Sequence, residues 1–322
     1  MLSGVPQGSV LGPLLFVIYI NDLPESALNK IEMFADDSKI LSVIEDYYSR
    51  LSLQRDLDKI YDWSETWLMQ LNVKKCKVMH FGTRNPRFDY SMRTSEGEKA
   101  KLEVVEREKD LGVIVSSDLK WESHIVETTA KANRILGMLK KAFSSRDSAL
   151  WKNLYTSLVR PHLEYAVQIW SPTRVSDILA VERVQSRATR IPGSMRGLGY
   201  DDRLAAWGIT RLVDRRVRGD LIGLYKEVNG VEVVDWVRGP VFKQEGRLGC
   251  ETRSHGLSIR RDVFGARLRN DFSGQISSRH EFFFNRIAPA WNALPDSVVC
   301  SPSLVAFKKG LDDRFKCNGR YS

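Results

Sequence analysis

The run Ile31-Glu32-Met33-Phe34-Ala35-Asp36-Asp37-Ser38-Lys39-Ile40-Leu41 sets two adjacent carboxylates between two largely apolar stretches. Asp and Ser are turn formers, so residues 31–44 read as strand, tight turn, strand. Two carboxylates side by side repel each other and resist ionisation. A divalent cation removes that cost. A hard ion such as Mg²⁺ takes carboxylate oxygens and leaves positions open for phosphate oxygens. A hairpin between buried strands would hold such oxygens rigidly. Asp is also an ordinary turn residue, so the pair alone does not decide between metal site and plain turn; its neighbours do.

Upstream, Ser3 to Gly8 holds two Gly and one Pro and reads as a loop. Pro13 suits the first turn of a helix, where its missing N–H is harmless. That helix, continuing to about Asn21, is apolar on most faces and is expected to be buried as a core helix. The run is too short to span a bilayer and lacks a leader's basic start and cleavage site. Downstream, Leu53, Leu57, Ile60, Trp63, Trp67 and Leu71 recur at three- and four-residue spacing, which predicts a helix over 46–70. Asp56, Asp58, Asp62 and Glu65 are expected largely on its opposite side. Residues 76–81, 102–106 and 110–115 are strand candidates, with a turn at Ser95-Glu96-Gly97, and together predict a small sheet.

From about His124 the pattern turns helical, with Ile125, Ala132, Ile135, Leu136, Leu139 and Phe143 on one face. Further helices are expected over 147–159 (with Leu150, Leu154, Tyr155 and Leu158 inward, kinked or ended by Pro161), 175–190 and 210–228. Residues 231–281 are Gly-rich, basic and weakly patterned, and short helices are expected near 285–293 and 302–313. The charge is uneven. Residues 1–120 hold 16 basic and 19 acidic side chains, a balance of −3, which leaves +12 for the remainder of a chain of net charge +9. A basic second part suggests a polyanion partner. Arg183, Arg187 and Arg190 share one helix face, as do Arg211, Arg215 and Arg218, with Arg216 beside them; such stripes can track phosphates or be a solvated face. Trp207 and Tyr225 could stack on bases but are more simply core. Cys76, Cys250, Cys300 and Cys317 stand far apart and form no CxxC. Cys76 and His80 read as a buried thiol and its neighbour, not as metal ligands. Free thiols fit a reducing, intracellular compartment.

Several segments in order resemble one family. Ser3-Gly4-Val5-Pro6-Gln7-Gly8-Ser9-Val10-Leu11-Gly12-Pro13 resembles motif B of reverse transcriptases, and Phe34-Ala35-Asp36-Asp37 resembles their metal-binding motif C. Asn72-Val73-Lys74-Lys75-Cys76 looks like motif D, and Lys109-Asp110-Leu111-Gly112-Val113 looks like the segment near the primer grip. Phe283 to Phe307, with Ala290-Trp291-Asn292-Ala293-Leu294-Pro295, is similar to C-terminal regions of jockey-like, LINE-type (non-LTR) retrotransposon proteins. Group II intron and telomerase polymerases are weaker matches, because that last region favours the retrotransposon.

The resemblance implies an α+β fold: a partial polymerase palm over 1–120, a helical thumb-like region over 121–195 and a basic C-terminal region over 196–322. It implies an RNA-directed DNA polymerase with two Mg²⁺ ions that copies an RNA template from a DNA primer with deoxynucleoside triphosphates, acting in the nucleus without a membrane. Asp36 would ligate metal directly and Asp37 would support it. Gly4 and Gly8 would admit template and base pair, Pro6 would stiffen their loop, and Gln7 would hydrogen-bond near the template. Lys75 would meet the incoming triphosphate. Members of the family complete the metal cage with a further Asp on an earlier palm strand, which no segment here matches. The chain alone is therefore expected to be inactive; the alternative is a non-catalytic nucleic-acid-binding remnant of a decayed element.

Overall fold

A computed structural model of the chain describes residues 8–82, 85–236, 239–242, 256–260 and 282–317. The chain is α+β, with helices and small two-stranded ladders. It divides into two compact units. The first is residues 1–108 with 116–119, and the second is 109–115 with 120–322.

In the first unit, α1 (Leu11–Ile20) leads through a 3-10 turn (Leu23–Ser26) to β1 (Lys30–Phe34) and β2 (Asp37–Leu41). Helix α2 (Tyr47–Thr66) follows. Asp46 caps it by accepting from the Ser49 N–H, while the Ser49 hydroxyl accepts from the Asp46 N–H, a reciprocal capping box. It stops short of the expected Gln70 because Leu68 turns left-handed, φ +56°, and Met69 N–H reaches back to Ser64 O. Ile60 and Trp63 pack with Ile20, Leu23, Ile31, Met33 and Ile40. Leu57 packs with Tyr90, Met92 and Leu102.

Three expectations for this unit are corrected. Helix α1 is not a buried core helix: only Ile20 is buried, with Phe16 and Tyr19 packed beside it, while Leu14, Val17 and Ile18 are exposed. One stripe of a helix that is apolar all round meets α2, and nothing among the described residues covers the rest. Asp56 does not face solvent with its acidic neighbours but is fully buried. It accepts hydrogen bonds from Leu28 N–H (3.0 Å), Asn29 N–H (2.8 Å) and Asn29 Nδ2 (2.7 Å), fixing the segment that enters β1. The small sheet is instead a set of separate ladders. Besides β1–β2 these are β3 (Lys77–Val78) with β6 (Glu103–Val104), β4 (Ser91–Arg93) with β5 (Lys99–Lys101), and β7 (Arg107–Asp110) with β8 (Val113–Ser116). The turn expected at Ser95-Glu96-Gly97 joins β4 to β5, closed by Thr94 N–H to Glu98 O at 2.8 Å.

In the second unit α3 (Glu122–Ala142) presents the expected apolar face, and Ile125, Ala132, Leu136 and Leu139 are buried. Helix α4 (Ser148–Leu154) passes through a π turn (Tyr155–Val159) into α5 (Arg160–Glu164). Pro161 does not stop the helix, because the wider π turn absorbs the missing N–H and the ring. Tyr155 is buried as expected, whereas Leu158 turns outward across the π turn and Val159 is buried in its place; Trp151 is buried as well. Two short helices that periodicity did not suggest, α6 (Val167–Trp170) and α8 (Tyr200–Trp207), flank α7 (Val175–Thr189). Helix α9 (Leu212–Val228) then packs with α10 (Phe283–Asn292), α11 (Asp296–Val299) and α12 (Leu304–Cys317). Trp151, Trp170, Trp207 and Trp291 are all fully buried, and each indole N–H finds an oxygen acceptor. Tyr225 and Trp207 are core, as the simpler reading held. Buried Gln185 accepts from Tyr155 Oη and donates to Tyr200 Oη and Thr210 O, so its own amide is satisfied.

Two outcomes follow from these buried polar groups. Asp56→Ala leaves the Leu28 and Asn29 donors unpaired and should destabilise the first unit by about 3 kcal/mol in chemical unfolding; a loss below about 1 kcal/mol would show that the carboxylate is dispensable. His124 is buried, and its Nδ1 accepts from Ile114 N–H at 3.1 Å. Burial lowers its pKa, opposed by Glu127 and aided by Lys109. The unfolded chain therefore binds more protons near the ordinary value of about 6.5, so this contribution is present above that pH and lost as pH falls below it. Urea unfolding at several pH values should show that slope in the wild type and a shallower one in His124→Gln; equal slopes would refute the assignment.

Candidate functional site

The β1–β2 ladder is a tight hairpin in which Phe34 pairs with Asp37, so Ala35 and Asp36 alone form the turn. Ala35 sits at φ +51°. A left-handed residue at the first central position matches the twist of the strands, but Gly is preferred there, and Ala carries a cost of about 1 kcal/mol. Such strain persists where the surroundings over-determine the turn. Here Asp56 fixes the start of β1, and Ile31, Met33 and Ile40 pack on the α2 side. The strands are half-exposed rather than buried, so the turn is held from one face and from its base.

Asp36 and Asp37 both stand exposed at the tip. Their oxygens are hard donors and suit a divalent ion in kind. In number they fall short, since no group of three or more His, Cys, Asp or Glu that could hold a metal exists among the described residues. The turn thus fits as part of a metal site. Lys75 is not on a strand: it ends a 3-10 turn (Val73–Lys75), exposed, its N–H bonded to Asn72 O. No ion pair or hydrogen bond among the described residues joins it to Asp36 or Asp37. Gly8 adopts φ +87°, which an L side chain rarely accepts, and Ser9 Oγ accepts from Gly12 N–H at 2.9 Å to start α1. Gly4, Pro6 and Gln7 lie outside the described residues. Cys76 is half-buried, and burial raises its thiol pKa.

The two arginine stripes differ. Arg183 and Arg187 on α7 and Arg190 at its C-terminal cap are exposed, with Arg187 donating to Asn133 at 2.8 Å. Arg211, Arg215 and Arg218 are paired within the fold. Arg211 grips Asp201 with Nη2 at 2.7 and 2.9 Å from its oxygens. Arg215 grips Glu164. Arg218 grips Asp312 at 2.7 and 3.0 Å. Arg216 is buried beside Glu182 and Asp220, and desolvation lowers its pKa. A guanidinium fork committed to a carboxylate has fewer donors free for phosphate, so these three arginines hold the fold with donors that a phosphate contact would have to share.

A basic face not singled out in the sequence adjoins the α7 stripe. Lys131, Arg134 and Lys141 are exposed on α3, opposite its apolar face. The pairs Glu122–Arg174 (3.8 Å) and Asn133–Arg187 (2.8 Å) set α3 and α7 side by side and parallel. The spacing of Lys131, Arg134 and Lys141 carried the signal, but tertiary packing was needed to join it to α7. No helix among the described residues is long and apolar enough to cross a membrane.

Residues 2–138 match the family profile described as reverse transcriptase (RNA-dependent DNA polymerase). The chain is 26% identical over 205 residues to the RNA-directed DNA polymerase from mobile element jockey of Drosophila melanogaster, covering 58% of this chain and 21% of that protein. It is 26% identical over 206 residues to the probable RNA-directed DNA polymerase from transposon X-element of the same species, covering 59% and 21%. To the Pol polyprotein from type-1 retrotransposable element R1 of Nasonia vitripennis it is 24% identical over 179 residues, 52% of each. The matched stretch thus spans about a fifth of the Drosophila relatives. No solved structure matches the chain.

The partition of the arginines predicts opposite mutational signatures. Arg215→Ala and Arg218→Ala should each lower stability by about 1 kcal/mol, whereas Arg183→Ala and Arg190→Ala should leave it within about 0.5 kcal/mol. Thermal and urea unfolding of the four variants would read this, and equal effects would erase the distinction.

Proposed function

We propose that the chain, whose residues 2–138 match the reverse transcriptase family and which is similar to the jockey-type polymerases, is part of a reverse transcriptase of a LINE-type, non-LTR retrotransposon, and that its Asp36–Asp37 turn is the hairpin part of a polymerase metal centre. The observation that carries this is the two-residue turn at which both carboxylates stand exposed. The reaction is RNA-directed DNA synthesis from a DNA primer by two-metal nucleotidyl transfer, with deoxynucleoside triphosphates as substrates, in the nucleus where target DNA resides. We assign 1–120 to a partial palm, 121–195 to a thumb-like region and 196–322 to a basic C-terminal region.

Asp36 would hold the cation directly, and Asp37, one residue along the chain, would steady it. Bound Mg²⁺ would stabilise charge on the attacking and leaving oxygens. Lys75 offers a cation to the triphosphate from its exposed turn. Gly8, with Gly4, Pro6 and Gln7 before it, lets the backbone approach the template. Among the described residues no third ligand joins the two carboxylates; such a pair would hold an ion weakly and would not align primer and phosphate, so no primer extension is expected of this chain by itself.

A second reading, nucleic-acid binding without catalysis, is favoured by the exposed face of Arg183, Arg187 and Arg190 beside Lys131, Arg134 and Lys141. Such a face neutralises phosphates without reading sequence. The two readings differ in whether the Asp36–Asp37 turn is used.

The full chain should bind a DNA-primed RNA template with strongly salt-dependent affinity. Replacing Arg183, Arg187 and Arg190 together by Ala should weaken binding about tenfold or more at low salt and flatten the salt slope. On poly(rA)/oligo(dT) with Mg²⁺ no extension is expected. Extension that vanishes in Asp36→Ala would overturn the inactivity of the isolated chain, and salt-insensitive binding would overturn the basic-face assignment.

A further inference from the structure

The tip of the β7–β8 hairpin, Leu111-Gly112, is held by a ring of contacts that the reaction above does not use. Tyr165, in the link between α5 and α6, donates its hydroxyl to Leu111 O at 2.9 Å. Its ring lies against the tip so closely that a Cβ on Gly112 would stand 3.1 Å from Tyr165 Cε1. Gly112 itself has φ +85° and Leu111 φ +45°, so the turn has little freedom to move away. Tyr165 is fixed in turn. Its carbonyl accepts from the indole N–H of fully buried Trp170 at 2.7 Å, and Ala166 next to it is left-handed at φ +51°. The Trp170 ring meets His124 edge-on at 4.8 Å between centroids. His124 Nδ1 accepts from Ile114 N–H on the other arm of the same hairpin. Lys109 on the first arm pairs with Glu127 of α3 at 3.2 Å. Leu111, Tyr165, Trp170, His124 and Ile114 thus close a loop that grips the hairpin at its tip and along one arm.

Stability alone does not call for the outermost of these contacts. Tyr165 is 56% and Leu111 41% exposed, and a hydrogen bond at a wet surface adds little to folding. What the contact does fix is the position of an exposed backbone tip. Resting on the reading of Lys109–Val113 as the segment near the primer grip, we propose that Tyr165 is a positioning residue that sets the hairpin tip against the terminal nucleotide of a primer strand. The tip meets the sugar-phosphate of that nucleotide, and Tyr165 acts through Leu111 and Gly112 rather than by touching it.

The test compares two ligands on the full chain: an RNA template with a recessed DNA 3′ end, and a blunt RNA–DNA duplex of equal length. Fluorescence anisotropy at low salt should show the wild type preferring the recessed end by about fivefold, the factor carried by one net hydrogen bond of about 1 kcal/mol. Tyr165→Phe, which deletes only the hydroxyl, should bring that preference below about twofold while blunt-duplex affinity and melting temperature hold. Gly112→Ala, which drives a methyl towards the ring at a φ that L side chains rarely adopt, should also lower the preference, with a drop in melting temperature that Tyr165→Phe does not share. A purely structural tyrosine would leave the ratio untouched. A preference that survives in Tyr165→Phe overturns the inference alone. A wild type that binds duplex with no preference overturns the primer-grip reading and the inference with it, and a wild type that binds no duplex overturns the nucleic-acid reading as well.

Discussion

One buried carboxylate organises the part of the molecule that bears the candidate metal site. Asp56 projects from the middle of α2 and accepts two backbone N–H groups and one side-chain amide from Leu28 and Asn29. With the start of β1 held there, the apolar residues of both strands fall on Ile60 and Trp63. The two-residue connection must then close sharply enough that Ala35 takes a left-handed conformation. A carboxylate about twenty residues down the chain from the turn therefore decides how Asp36 and Asp37 are presented. The tip is strained because its base is over-determined, the usual economy of a functional turn.

Much of this was legible in the sequence, and the misses share a cause. Period and turn chemistry gave the hairpin, α2, α3, α7 and α9, because each carries a long stripe or a compact turn signal. Periodicity says which side of a helix is apolar but not what covers it, so α1 read as buried when only a stripe of it is. It treats every acid as solvent-seeking, so Asp56 was placed outside, although a buried acid is satisfied where several N–H groups converge. The short helices α6 and α8 are set by tertiary packing around Trp170 and Trp207 and have too few turns for a stripe to show. Pro161 read as a stop because the π turn that accommodates it has no signature in spacing.

The arginines show the same limit in the site. Two stripes of equal spacing look alike in sequence, yet Arg211, Arg215 and Arg218 find carboxylates at Asp201, Glu164 and Asp312, the last 94 residues away. Only partners that folding brings up distinguish a fold-holding stripe from one that faces water. Of the two stripes, the one whose arginines face water is that of α7, beside the exposed bases of α3. The resemblance to the reverse transcriptase family, by contrast, needs no packing to be seen: the loop, the Asp pair and the hairpin segment are local, and the family profile matches over residues 2–138.

The central claim is that the Asp36–Asp37 turn binds a divalent ion as an incomplete site. Titrating the isotope-labelled chain with Mn²⁺ and following paramagnetic broadening of its amide signals tests this at the residue level. Two hard ligands on one turn predict broadening centred on Ala35–Ser38, with a Kd on the order of millimolar, abolished in Asp36→Asn. Binding in the micromolar range would mean that the site is complete within the chain, and no broadening at the hairpin would mean that the pair is an ordinary turn.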